Sequence, residues 1–205
     1  MKTKTKALAL FLSAVLLVVT TVFTTMAFLT STDEVKNTFT FGQVVITLDE
    51  KDVDKDSNDQ DNVTIDGDVR DKANEYKLIP GSTYTKDPKI RVDAVSENCY
   101  LFVKVVNGLV NAEAAGDTTI AKQMENNGWV NVSDNIYVYC DENGNKCSVA
   151  GGGVISVFDS FTIGGNTEVS KFGDAKINVT AYAVQAEGFE NDEPASIWNK
   201  VFAQQ

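Results

Sequence analysis

The stretch Cys99-Tyr-Leu-Phe-Val-Lys-Val-Val106 constrains the fold most. It is rich in β-branched and aromatic residues, nearly continuous in apolar character, and too short for a long helix. It therefore reads as a strand buried deep in a sheet. Other segments repeat the β signal at short spacing. In Lys89 to Val95, Ile90, Val92 and Ala94 alternate with charged residues, and Lys176 to Gln185 alternates Ile177, Val179, Ala181 and Ala183 against Asn178, Thr180, Tyr182 and Val184. Asn37 to Leu48, Trp129 to Val132, Ile136 to Tyr139 and Val154 to Ile163 carry the same composition. In the first of these, Phe39 and Phe41 have one parity and Val44, Ile46 and Leu48 the other, so a single apolar face requires a bulge near Gly42.

Helical spacing occurs in two places. Asp117 can cap a short helix carrying Ile120, Ala121 and Met124 that closes at Gly128. Pro194 opens a terminal helix whose Ile197, Trp198, Val201 and Phe202 are expected to cover a sheet end. About eight strands, turns rich in glycine and asparagine, and one inserted helix predict an all-β, antiparallel double-sheet sandwich of jelly-roll type.

The N-terminus places Lys2, Lys4 and Lys6 before an uncharged run from Ala7 to Thr32, the order of parts in a secretory signal helix. Small residues at Thr25 and Ala27 set the expected cut between Ala27 and Phe28, so residues 1–27 form the signal and 28–205 a single secreted domain. The run is also long enough for an uncleaved anchor across about 30 Å of hydrocarbon. The threonines at 20, 21, 24 and 25 weaken that alternative. Cleavage leaves 178 of the 205 residues, with 15 basic against 29 acidic side chains and a formal charge of −14. Nucleic acid and anionic lipid would repel such a surface. Contact with a membrane is expected only through the uncleaved signal.

The chain contains no histidine. That removes the commonest general base, the usual nucleophile pairs and the usual zinc ligands, so no catalytic residues and no cofactor are expected. Residues 49–72 read as an acidic polar loop. Asp52, Asp54 and Asp56 alternate as in a calcium loop, but Ser57 stands where glycine is needed and Val63 where the closing glutamate belongs. They are at most weak calcium candidates in a solubilising loop.

A type I′ turn centred on Asn143-Gly144 would set Cys140 opposite Cys147. Export favours oxidation, so a disulfide staple across the hairpin is preferred to a reactive thiol pair. The third cysteine, Cys99, reads as a small buried hydrophobe. Gly151-Gly152-Gly153 lacks the context of a phosphate loop and reads as a connection.

Three segments carry a family resemblance: Ala27 to Gly42 (AFLTSTDEVKNTFTFG); Tyr76 to Pro88 (YKLIPGSTYTKDP) followed by Cys99 to Val105; and Ala181 to Phe189 (AYAVQAEGF). Together they resemble the SipW-dependent exported proteins of Gram-positive bacteria, the family containing the biofilm fibre protein TasA and the camelysin-like surface proteins. The resemblance implies a jelly-roll domain, secreted to the extracellular matrix or cell surface and released by a signal peptidase of SipW type. Such a domain stays monomeric or assembles with copies of itself or related matrix subunits. In the fibre formers an N-terminal strand is donated to the next subunit, which here assigns that role to Thr38, Phe39, Phe41, Val44, Ile46 and Leu48, the alternative being that the same strand pairs within its own subunit. The expectation is a structural biofilm-matrix or surface-fibre subunit, with a monomeric adhesin or ligand-binding module as the alternative. Camelysin-like members have been described as metalloproteases, but a chain without histidine offers no arrangement of ligands and base for that chemistry. No Leu-Pro-X-Thr-Gly sorting pattern or second hydrophobic span is seen, so covalent wall attachment is not expected.

Overall fold

A computed structural model of the chain describes residues 12–15, 43–54, 63–65 and 67–203. The chain divides into a unit Met1–Thr40, of which residues 12–15 are described and are helical, and a unit Phe41–Gln205. Most of the signal segment, the Ala27–Phe28 cut, Thr38, Phe39, Phe41, the bulge at Gly42 and Asp56 lie outside the described residues. No helix among the described residues is long and apolar enough to cross a membrane.

The second unit is a stack of antiparallel sheets with few short helices. Its strands are β1 (Ile46–Lys51), β2 (Val63–Ile65), β3 (Asp68–Asp71), β4 (Thr83–Thr85), β5 (Lys89–Val92), β6 (Cys99–Asn107), β7 (Trp129–Ser133), β8 (Ile136–Tyr139), β9 (Val154–Ser156), β10 (Ser160–Thr162) and β11 (Ile177–Gln185). The helices are α1 (Ile120–Asn126) and α2 (Pro194–Val201), with a 3-10 turn at Val169–Phe172. One sheet runs β2-β3-β1-β5-β9 and a second runs β11-β6-β8-β7, while β10 and β4 form a separate pair. Val154 to Ile163 is therefore not one strand: its two halves serve different sheets.

Strand β6 explains the architecture. Its alternate residues Leu101, Val103 and Val105 face a core shared with Ile90 and Val92 of β5, so the two larger sheets pack as a sandwich. Its other face would be bare without α2. Tyr100 and Phe102 instead join Ile136, Val138 and Ile197 in a second apolar cluster, and Phe102 lies 5.9 Å from the Trp198 ring and 5.8 Å from that of Phe202. Covering Phe102 and Ile197, both 0 % exposed, contributes about 2 kcal/mol each. Thus α2 covers the outer face of the sheet and not its end. This double burial is why β6 reads as continuously apolar.

Both helix starts follow from local chemistry. Thr119, two residues later than expected, caps α1 by accepting the Lys122 N–H, and Gly128 closes the helix at φ +87°. Pro194 occupies the first turn of α2, where its missing N–H costs nothing.

Residues 49–72 are not one loop. Asp49, Glu50 and Lys51 complete β1, whose register pairs Leu48 with Ile90 and Glu50 with Asp71, and β2 and β3 form a hairpin beyond it. Val44, Ile46 and Leu48 pack on the chain's own core, and Ile46 and Leu48 pair with β5. The second half of the expected donor segment is thus committed within its own subunit.

Candidate functional site

Strand β11 pairs with β6 over all nine residues, from Ile177 opposite Asn107 to Gln185 opposite Cys99. Its other edge has no strand partner among the described residues. Beyond that edge lies a cavity of about 820 Å³, lined among others by Tyr76, Leu78, Phe161, Phe172, Ile177 and Asn178. A second cavity of about 500 Å³ adjoins it along Leu48, Asp71, Val179 and Thr180. The two share Glu50, Lys72, Lys86, Ile177 and Asn178, so they form one groove between the β11 edge and the β1–β3 side of the opposite sheet.

The groove has an apolar and a charged part. The apolar part includes Tyr76 and Phe161, which meet edge-on at 5.2 Å, and Phe161 is backed by a stack on Tyr84 at 5.0 Å. In the charged part, Lys86 Nζ donates to Glu50 Oε2 at 2.5 Å, with side chains 10 % and 6 % exposed, and Asn74 Nδ2 donates to Glu50 Oε1 at 3.0 Å. Lys86 Nζ also lies 5.9 Å from the centre of the Tyr76 ring. Burial, reinforced by Glu50, Asp54 and Asp87, raises the Tyr76 phenol well above its ordinary range, so it remains a neutral donor, bonding the Thr85 carbonyl at 3.0 Å.

The opposite flank of the sandwich is closed. Trp129 Nε1 on β7 donates to the Ser156 carbonyl of β9 at 2.9 Å, and Gln123 of α1 bonds the Ser160 carbonyl and accepts the Asp159 and Ser160 N–H groups. Asn127 adds a bond to the Val157 carbonyl. The β7 edge also carries an irregularity between Asn131 and Ser133, a device that discourages further pairing.

On the outer face of the five-stranded sheet, Arg70 is 2 % exposed. It donates from Nε to Asp49 Oδ1 and from Nη1 to Asp87 Oδ2, both at 2.7 Å, and Arg91 Nε reaches Asp49 Oδ2 at 2.8 Å. The acidic run therefore begins with a carboxylate sandwiched between two guanidinium groups.

The cysteine register differs from expectation. Cys140 stands opposite Lys146, not Cys147, and the Cys147 N–H donates to the Tyr139 carbonyl at 3.3 Å. The turn contains three residues: Gly144 N–H bonds the Asp141 carbonyl, Gly144 takes φ +78°, and Asp141 Oδ1 accepts the N–H groups of Asn143 and Asn145. This is a type I turn followed by a left-handed residue, which shifts pairing by one position. All three cysteines are free thiols here, in contrast to the expected Cys140–Cys147 bridge. Burial pushes Cys99 and Cys140 up to about 11, and raises Cys147 as well.

Of the weak calcium candidates, Asp54 accepts the Glu75 N–H, and Asp52 also has interactions within the chain. Among the described residues no group of three or more carboxylate or thiol side chains is arranged to hold a metal. Sequence reasoning missed Glu50, Asn74, Lys86 and Arg70. Glu50 was hidden inside an acidic run, and no local spacing links it to Lys86, thirty-six positions away.

No family model, curated protein or solved structure matches the chain.

Proposed function

We propose that this chain is an exported structural protein, a subunit of an extracellular fibre or matrix, with a jelly-roll sandwich that accepts a strand from a neighbouring copy. The observation that carries this reading is the asymmetry of the sandwich: one flank is sealed by α1 and Trp129, while the other presents the open β11 edge beside a groove. Backbone groups on such an edge bind an extended segment whatever its sequence, and the flanking pockets select its side chains.

The occupant is residues 37–42 of the next subunit, which contain Phe39 and Phe41 and precede β1. Where the chain enters the domain supports transfer between copies. Gln43 accepts the Glu97 N–H and Asn98 accepts the Ala186 N–H, which puts the entry point beside the finish of β11. The groove opens at the start of that strand, roughly 27 Å away at the rise of an extended chain. A donor at one end and an acceptor at the other make a head-to-tail contact, which does not close as a two-fold dimer and propagates as a filament where the rotation between copies does not close a ring. The signal segment then has a second role, since its removal frees the donor. Surface retention follows from assembly, and no catalytic role is assigned.

The test compares residues 28–205 with residues 43–205, which retain β1. The longer protein should form filaments on concentration, visible by electron microscopy, while the shorter one stays monomeric with the same circular dichroism. Filaments of equal yield from residues 43–205, or a longer protein that stays monomeric, overturn the reading.

A further inference from the structure

The Lys86, Glu50 and Asn74 cluster gathers the three groups an amide exchange uses, with Glu50 bridging the other two. An amine, a carboxylate and a carboxamide meet in a largely buried place: Lys86 Nζ contacts one oxygen of Glu50 at 2.5 Å, and Asn74 Nδ2 contacts the other at 3.0 Å. The Asn74 carboxamide is also polarised. Its Oδ1 accepts the Val53 N–H at 2.8 Å, while Nδ2 additionally donates to the Lys51 carbonyl at 3.0 Å. Both its ends are therefore fixed, with a backbone donor where negative charge would develop on the oxygen.

We infer that Lys86 and Asn74 form an intramolecular isopeptide bond, with Glu50 as the proton carrier. The Lys86 ammonium passes a proton to Glu50, and the freed amine attacks Asn74 Cγ. The Nζ–Cγ bond forms as Cγ–Nδ2 breaks; Glu50 hands its proton to the departing nitrogen, then relays to it one of the two protons left on Nζ, so that ammonium leaves and Nζ becomes an amide N–H. Charge and atoms balance without any other reactant. The Lys86 side chain is 10 % exposed and lies beside the Tyr76 ring, which favours attack by nitrogen over hydrolysis.

The bond joins the 72–82 connection to the segment entering β5 and fixes the charged part of the groove. It also supplies a covalent staple in a domain whose three thiols are free. It does not depend on strand donation.

The intact mass of the purified, denatured wild-type protein decides the matter. It should lie about 17 Da below the sequence mass, the mass of the ammonia lost, with a branched tryptic peptide joining Lys86 to Asn74. Glu50→Gln and Lys86→Arg should each restore the full mass. The full mass in the wild type overturns the proposal, even if the variants do not fold. So does a 17 Da loss that fragmentation places at an Asn-Gly pair.

Discussion

Arg70 and Asp49 form a buried ion pair, Nε to Oδ1 at 2.7 Å, with side chains 2 % and 7 % exposed. Arg70 has no aqueous alternative for its charge, and its remaining donors go to Asp87 and to the Asp49 and Asp87 carbonyls. Removing it takes one cationic partner from each of two carboxylates, leaving Asp49 with Arg91 alone and Asp87 with the Lys51 N–H and Lys89 at 3.5 Å. Arg70→Ala should therefore destabilise the domain by about 3 kcal/mol, measured by urea denaturation. Arg70→Lys should rescue little of that loss, because an ammonium cannot reproduce the forked geometry.

The same network sets the acid limit. Burial pushes the Asp87 carboxyl up, but the Arg70 bond and the Lys51 N–H at 2.6 Å outweigh it and hold it below the usual carboxylate range. A carboxyl lowered in the folded state stabilises above its unfolded value, about 4, and that contribution is lost as pH falls through the lower folded value. Asp87→Asn should flatten the stability profile below about pH 4. Glu113 works in the opposite direction: burial raises it despite its bonds to Asn107 and the Ile120 N–H, so it lowers stability as pH rises. Glu113→Gln should flatten the profile above about pH 4.

The second core predicts a large effect from a terminal residue. Ile197 is fully buried under the outer face of β6, and Ile197→Ala should cost about 3 kcal/mol in thermal or urea unfolding. An effect below about 1 kcal/mol would mean that α2 is not held on that sheet.

Thiol chemistry checks the hairpin register. With Cys99 and Cys140 pushed up to about 11 by burial, native protein at pH 8 should alkylate slowly, and denatured protein should yield three thiols per chain. A yield of one would restore the expected Cys140–Cys147 disulfide.

Much of the sheet framework was legible because its signals are local. β6, β11, β7 and β8 declare themselves through alternation and β-branching, and Pro194 and Gly128 mark helix ends by their own backbone limits. The outcome differed wherever a partner lies far along the chain. Asp49 reads as a solvated acid because nothing nearby shows Arg70 or Arg91, which neutralise it from twenty-one and forty-two positions away. The Asn143-Gly144 pair suggests a two-residue turn, yet the Asp141 side chain accepts two N–H groups and selects a three-residue one. The groove was invisible for a related reason, since it exists only between the β11 edge and the β1–β3 side of the opposite sheet, which lie more than a hundred residues apart in the sequence.

Hydrogen exchange along β11 tests strand acceptance most directly. In residues 43–205, adding a peptide of sequence Asn-Thr-Phe-Thr-Phe-Gly should slow exchange at the amides of residues 177–180, with no change at the sealed β7 edge. Unchanged exchange at residues 177–180, or protection arising at β7 instead, would contradict the account.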